Sequence, residues 1–400
     1  MRLDSKIAEV LAKVNGQYEE FRNSDGSLYV KLKRPIYGLV QSALRWNEEI
    51  SRTLRDMGYT QNPYDPCVWN KGRHDDQCTV LIHVDDLMIT CKRNSTINQL
   101  IQHLKVKYDN DLTVTTGDIH SYLGITFDFS VEGQVRLSQK KYVDDLISET
   151  GTTGTVLTPA LDNLFVLDHS AEKLNGEDTK AFHTVVAKIL YLAKRTRPDL
   201  LVAVSHLVTR VQAPTSQDKQ KLERVLKYVN GTKELYLTLR SNDQIIQIFA
   251  FIDASYGVHA DGKSHTGIVI VVNDGTVFFQ SSKQKLNTKS STESELVGLS
   301  DGLSQVIWTR NFLIAQGYDM GPAKVFQDNL STMRMVKNGR STSQRTRHVH
   351  IRFFFVKDRV DKREIAIEYK PTDHMLADIL TKPLQGQHFI NLRAQLLRSD

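Results

Sequence analysis

The sequence predicts a multidomain chain of mixed α/β and α+β type, and three observations carry that reading. Its 400 residues are enough for two or three domains. Its 40% hydrophobic content supports packed cores and argues against wholesale disorder. Its C-terminal half alternates strand and helix periodicities in the order β-β-β-α-β-α-α-β-α, with a carboxylate at the edge or start of four of these segments. Those acids are Asp253 in FAFIDASYG, Glu295 in SSTESELVG, Asp328 in VFQDNLS and Asp378 in MLADILTKPL.

The elements follow in chain order. Residues 1–22 read as helix, with Ile7, Val10, Leu11 and Val14 on one face. SDGS is a turn before the strand LYVKL, and residues 41–57 form the next helix. CVWNKG and CTVLIHVDDLMITCK, joined by RHDDQ, read as a β-hairpin with the acid pair Asp85 and Asp86 in its second strand. A helix from Ile97 to Tyr108 follows, then two short strands around Glu132-Gly133, then a helix from Lys140 to Ser148. Residues 151–180, rich in Thr, Gly, Asp and Asn, read as a linker or loosely packed connection. Two helices cover 181–213 and 216–230. QIIQIFAFIDASY, HTGIVIVV and TVFFQSS are strands with NDG as a turn. A long amphipathic helix runs from Thr292 to Gln316, capped by Ser291 or Thr292, with Glu293 as a helix-start acid. The strand AKVFQD, a helix, a basic segment, the strand IAIEYK and a last helix from about Asp373 complete the chain.

The four acids are spread over about 125 residues, so they matter together only if folding gathers them. Carboxylates held close repel one another unless a cation sits between them. Hard oxygen ligands suit Mg²⁺ or Mn²⁺. Two such ions a few ångströms apart can activate water and stabilise the leaving oxygen in phosphodiester cleavage.

The net charge of +6 leans mildly toward a polyanionic partner. From Arg334 to Arg359 there are eight Lys or Arg and one acid, Asp358, around the aromatics Phe353 to Phe355. A basic face over a buried Phe cluster is one reading of that run. A phosphate-backbone surface is the other, and it would use Arg340, Arg345, Arg347, His348 and Arg352. The three cysteines have no zinc spacing and fit a reducing compartment. No apolar run approaches the ~18–20 residues of a membrane span, so an intracellular place, cytoplasmic or nuclear, is expected.

The order strand-Asp, helix-Glu, strand-Asp, helix-Asp resembles ribonuclease H. IDASYG, KSHTG, SSTESEL, FQDNLS, TRHVHIR and EYKPTDHMLADILTKPL resemble, in order, the RNase H of copia-type LTR retrotransposon Pol polyproteins. Upstream, KLKRPIYGLVQSALRW, HVDDLMIT, YLGITF, LSQKKYVDDL, ILYLAKRTRPDLLVAV and KLERVLKYVNGT resemble the same family's reverse transcriptase and connecting regions. The resemblance implies a partial reverse transcriptase palm and thumb over 1–150, a linker and helical connection over 151–243, and an RNase H-like domain with a mixed five-stranded sheet over 244–390. It implies that Asp253, Glu295, Asp328 and Asp378 bind two metal ions, Mg²⁺ or Mn²⁺. It also implies that Asp85 and Asp86 hold metal at a polymerase site, and that the partners are RNA–DNA hybrid and other Pol segments. The family places a further Asp ahead of KLKRPIYGL, and residues 1–30 carry no such block, so polymerisation by this chain alone is expected to be lost. His83 stands where the family has Tyr, and His350 where His-x-Asp is usual. A nucleic-acid-binding relic without turnover is the competing expectation.

Overall fold

The computed structural model describes residues 1–33, 36, 39–73, 76–108, 112–240, 245–338 and 347–399. It forms two units, Met1–Asp109 and Asn110–Asp400.

In the first unit, β1 (Arg2–Leu3) pairs with β2 (Leu28–Tyr29), and α1 (Ser5–Val14) follows β1 directly. Asp4 caps α1 by accepting from the Lys6 and Ile7 amides. The helix expected over 1–22 stops at Val14, because Asn15 ends α1 in an extended conformation and caps a 3-10 turn, Gly16–Phe21. After α2 (Val40–Asp56) come β3 (Thr60–Asn62), β4 (Asp65–Lys71), β5 (Cys78–His83) and β6 (Asp86–Cys91), an antiparallel sheet in chain order. The run expected as one second strand is therefore two, folded back at Val84-Asp85. Ile50, Leu54, Trp69, Val80 and Ile82 are buried, as are Leu100 and Leu104 of α3 (Asn94–Lys107).

The second unit opens with β7 (Ile119–Tyr122), β8 (Ile125–Asp128) and β9 (Gln134–Ser138), one strand more than expected. The turn between β7 and β8 puts both Leu123 and Gly124 at positive φ, as a two-residue type I′ hairpin demands. Helices α4 (Lys140–Thr150), α5 (Gly176–Arg195), α6 (Leu201–Val208) and α7 (Ser216–Gly231) precede β10 (Leu237–Arg240), which joins the same sheet beside β9. The stretch before α5 is not loose: Ala160 and Leu164 are buried in the helical core. The helix expected over 181–213 breaks after Arg195, where Pro198 supplies no amide for it to continue. Buried Arg197 holds this corner, donating from Nε and Nη2 to Asp199 at 2.9 and 2.7 Å and from Nη1 to the Thr232 carbonyl. The Tyr228 hydroxyl donates to the same Asp199 at 2.7 Å.

Five strands then make the second sheet: β11 (Ile248–Ser255), β12 (His265–Val272), β13 (Gly275–Lys283), β14 (Ala323–Gln327) and β15 (Ile365–Tyr369). Their order is β13-β12-β11-β14-β15, antiparallel from β13 to β11 and parallel from β11 to β15. The helices between are α8 (Ser291–Ala315), α9 (Leu330–Asn338) and α10 (Arg347–Asp361), with α11 (Gly386–Leu396) at the end. The alternation of β11 separates two cores. Ile248, Ala250 and Ile252 pack with Leu296, Leu299 and Leu303 of α8 and Phe353 of α10. On the other face of the sheet, Val269 of β12 joins the core of α5–α7 and α11.

Cutting one partner from a buried ion pair leaves an uncompensated charge, at a cost of roughly 3–5 kcal/mol. Arg197→Met is expected to lower the unfolding free energy on that scale, read from urea denaturation followed by circular dichroism.

Candidate metal centre

Asp253 lies near the end of β11, and Asp328 follows the last residue of the parallel strand β14. Phe251 is in register with Phe326, so two residues further on the two acids come level. Glu295 stands in the first turns of α8, whose start is set by Ser290. The Ser290 side chain accepts from the Glu293 amide, and the Glu293 carboxylate accepts from the Lys289 amide at 2.8 Å. The cap is thus one residue earlier than expected, and Glu293 is spent on the helix start, as expected.

Folding brings one carboxylate oxygen each from Asp253, Glu295 and Asp328 within 4.8 Å of one another. Asp253 and Glu295 are buried and Asp328 is partly so. Gln327 orients two of them: its Nε2 donates to Glu295 Oε2 at 3.2 Å, and its Oε1 accepts from the Asp328 amide at 3.0 Å. The Thr372 hydroxyl donates to Asp328 Oδ2 at 2.8 Å. Burial, and then the charges of Asp253 and Asp328, push the Glu295 carboxyl well above the usual carboxylate range.

The fourth acid arrives differently. The last helix expected from about Asp373 does not begin there. Thr372–His374 and Leu376–Leu380 are 3-10 turns, and α11 starts only at Gly386. Asp378 is on the second turn and is 1% exposed. That turn rests on β12 at Gly267, the residue paired across the sheet with Asp253. A Cβ at Gly267 would lie 2.7 Å from the Ala377 carbonyl oxygen and 2.8 Å from Thr381 Cγ2, so the approach requires glycine. With the turn seated, the Thr381 hydroxyl donates to Asp253 Oδ2. Lys382 Nζ reaches Asp378 Oδ1 at 2.9 Å and Asp253 Oδ2 at 3.6 Å. Burial, then the Asp253 charge, raise Asp378 to about 7 against the pull of Lys382.

A buried hydrogen-bond chain holds the same turn from behind. The Ser281 hydroxyl donates to the Leu380 carbonyl at 2.7 Å. Its proton being so used, His265 Nε2 must donate to Ser281 Oγ, 2.7 Å away, and His265 Nδ1 must accept from His259 Nε2 at 3.0 Å. Burial keeps both imidazoles neutral, lowering His265 to about 3 and His259 to about 4. Sequence reasoning named the four acids but missed Gln327, Thr372, Thr381, Lys382, Gly267, His265 and Ser281. Several stand in the quoted blocks KSHTG and ADILTKPL, where their roles depend on contacts that only the fold defines.

Asp85 and Asp86 are exposed at the tip between β5 and β6. Val84 before them has φ 56°, which a β-branched residue rarely adopts, so the tip is strained. Among the described residues, Asp253, Glu295 and Asp328 are the only three acids placed to share an ion, and the Asp85-Asp86 pair has no such third member. Of the expected phosphate contacts, Arg340 and Arg345 lie outside the described residues. Arg347 and His348 lie in the first turn of α10, and their side chains are outside the description too. Arg352 is ion-paired with Asp301 of α8. Lys357 and Arg359 are likewise ion-paired, with Asp361 and with Asp358 and Glu364.

A sheet ordered β13-β12-β11-β14-β15, with acids at the ends of its central strands, has the arrangement of an RNase H-like fold. Residues 6–162 match the family "Reverse transcriptase (RNA-dependent DNA polymerase)". The chain is 29% identical over 94% of its length to the retrovirus-related Pol polyprotein from transposon RE1 of Arabidopsis thaliana. It is 25% identical over 90% of its length to that from transposon TNT 1-94 of Nicotiana tabacum. The likeness to copia-type retrotransposon Pol is borne out. The chain spans 25% and 27% of those two polyproteins. Among solved structures, the foamy viral protease-reverse transcriptase in complex with RNA/DNA hybrid shares the fold, with a TM-score of 0.50 and 12% identity, over 91% of this chain and 42% of that one.

A carboxyl raised in the folded state favours the protonated form, so its contribution is full below about pH 4 and is lost as pH rises to about 7. In chelator, Asp378→Asn is therefore expected to match wild type near pH 4 and to be the more stable protein above pH 7. Urea midpoints across that range check it.

Proposed function

We propose that residues 244–390 hydrolyse the RNA strand of RNA–DNA hybrids in a metal-dependent reaction, in a chain whose residues 1–150 are the C-terminal part of a reverse transcriptase and whose residues 151–243 are a linker and helical connection. The observation that carries this reading is the gathering of Asp253, Glu295 and Asp328 at one end of the sheet, with Asp378 beside them. Three oxygens within 4.8 Å, one on a carboxyl raised by burial and then by its neighbours' charges, are a donor set for Mg²⁺ or Mn²⁺. Two ions held by the four acids would activate water and neutralise the leaving 3′-oxygen. The chain's own residues do the rest. Gln327 and Thr372 fix the carboxylates of Glu295 and Asp328. Thr381 fixes Asp253.

Arg340, Arg345, Arg347, His348 and Arg352 are proposed to contact the phosphate backbone, and selectivity for hybrid would come from groove shape and 2′-hydroxyls. The foamy viral relative in fold, solved with RNA/DNA hybrid, supports that ligand class. The exposed Asp85-Asp86 pair would serve a polymerase only with a third carboxylate from elsewhere, such as another Pol segment. No helix among the described residues is long and apolar enough to cross a membrane. Three free thiols suit a reducing compartment, cytoplasm or nucleus.

One observation favours a second reading, a nucleic-acid-binding relic without turnover: Lys382 already neutralises part of the acid set. The test is cleavage of a labelled RNA–DNA hybrid with Mg²⁺ or Mn²⁺. Wild type is expected to cut the RNA strand, and Asp328→Asn to lose about 10²-fold or more, the scale for deleting one group that stabilises transition-state charge. Tight hybrid binding with no cutting would instead support the relic. In a primer-extension assay the purified chain is expected to add no nucleotides, and robust extension would refute the view that its polymerase site is incomplete.

A further inference from the structure

The four acids are unequally provided with positive charge. Among the described residues, Lys382 is the only cation ion-paired to any of them, and it pairs with Asp378 and Asp253 alone. Glu295 and Asp328 have neutral donors instead, Gln327 and Thr372. Of the three acids whose oxygens gather, Lys382 thus ion-pairs with Asp253 alone, and its ammonium bridges that acid to Asp378.

That ammonium arrives on the same turn as the fourth acid. The Lys382 amide donates to the Asp378 carbonyl at 2.9 Å, and Thr381 beside it grips Asp253. Its position is therefore fixed by the seating of the turn on Gly267. The side chain is also 35% exposed, so its flexible four-carbon stem has a way out to solvent.

We propose that Lys382 is a positioning residue that occupies the second cation place, between Asp253 and Asp378, in the protein free of nucleic acid. With Lys382 inside, the protein takes up one divalent ion, at Asp253, Glu295 and Asp328. A second ion is admitted only when the ammonium leaves, and a scissile phosphate offers the ammonium another anion to follow. This rests on the metal-dependent reading above. It adds that the number of ions bound is set by a side chain.

The experiment is a Mn²⁺ titration of the full chain without nucleic acid, followed by the electron paramagnetic resonance signal of free Mn²⁺. Wild type and Lys382→Arg are expected to take up one tight ion. Lys382→Met is expected to take up two, the second at least tenfold tighter than any second ion in wild type. Lys382→Ala repeats the comparison should the Met variant fail to fold by circular dichroism. A loss of packing at this position would not raise the number of ions bound, nor would Arg restore it to one. Equal number and affinity in wild type and both neutral variants would overturn the proposal while leaving hybrid cleavage, assayed separately, to decide the nuclease reading. No Mn²⁺ uptake by any of them would overturn both.

Discussion

Mutual repulsion among buried carboxylates is the constraint around which the C-terminal part of this chain is arranged. Asp253, Glu295 and Asp378 are each at most 5% exposed, and no apolar packing can compensate for ionising all of them together. The fold answers with neutral donors on one side, an ammonium on the other, and burial that favours the protonated forms of Glu295 and Asp378. Each answer constrains the backbone. Gln327 must end β14, Gly267 must lack a side chain, and the Leu376–Leu380 turn must lie flat on β12. Such an arrangement is held against its own electrostatics, as sites built for cations are.

The helices of the connection take part in that support. Tyr228 of α7 donates to Asp199 at the corner before α6 and accepts from Arg393 of α11 at 3.1 Å. Phe389 of α11 stacks edge-on against the same tyrosine. Leu376, Ile379 and Leu380, which flank Asp378, belong to the core formed by α5–α7 and α11. The segment that reads as a linker is thus the floor on which the fourth acid is mounted.

Much of this was legible in the residues. The strand-helix order of the C-terminal half, its long central helix and its four acids all follow from periodicity and from carboxylates that recur at element edges. What escaped depended on contacts across long separations. β10 joins β9 through pairs such as Leu237 with Leu137, which no local pattern announces. The helix after Asp373 failed because the turn is selected by its seat on β12, not by its own propensity. The fold-back at Val84 was hidden because apolar alternation continues through it, and the left-handed valine has no signature in a single sequence. Lys382 escaped because a lone lysine in a loop has no period.

The fourth acid lies beyond the last strand of the sheet, nine residues after Tyr369. A nascent chain emerging from the ribosome can pair all five strands and still present only three of the carboxylates. A chain cut after Tyr369 would keep every strand of the sheet but lack both the acid and the ammonium that stand beside Asp253.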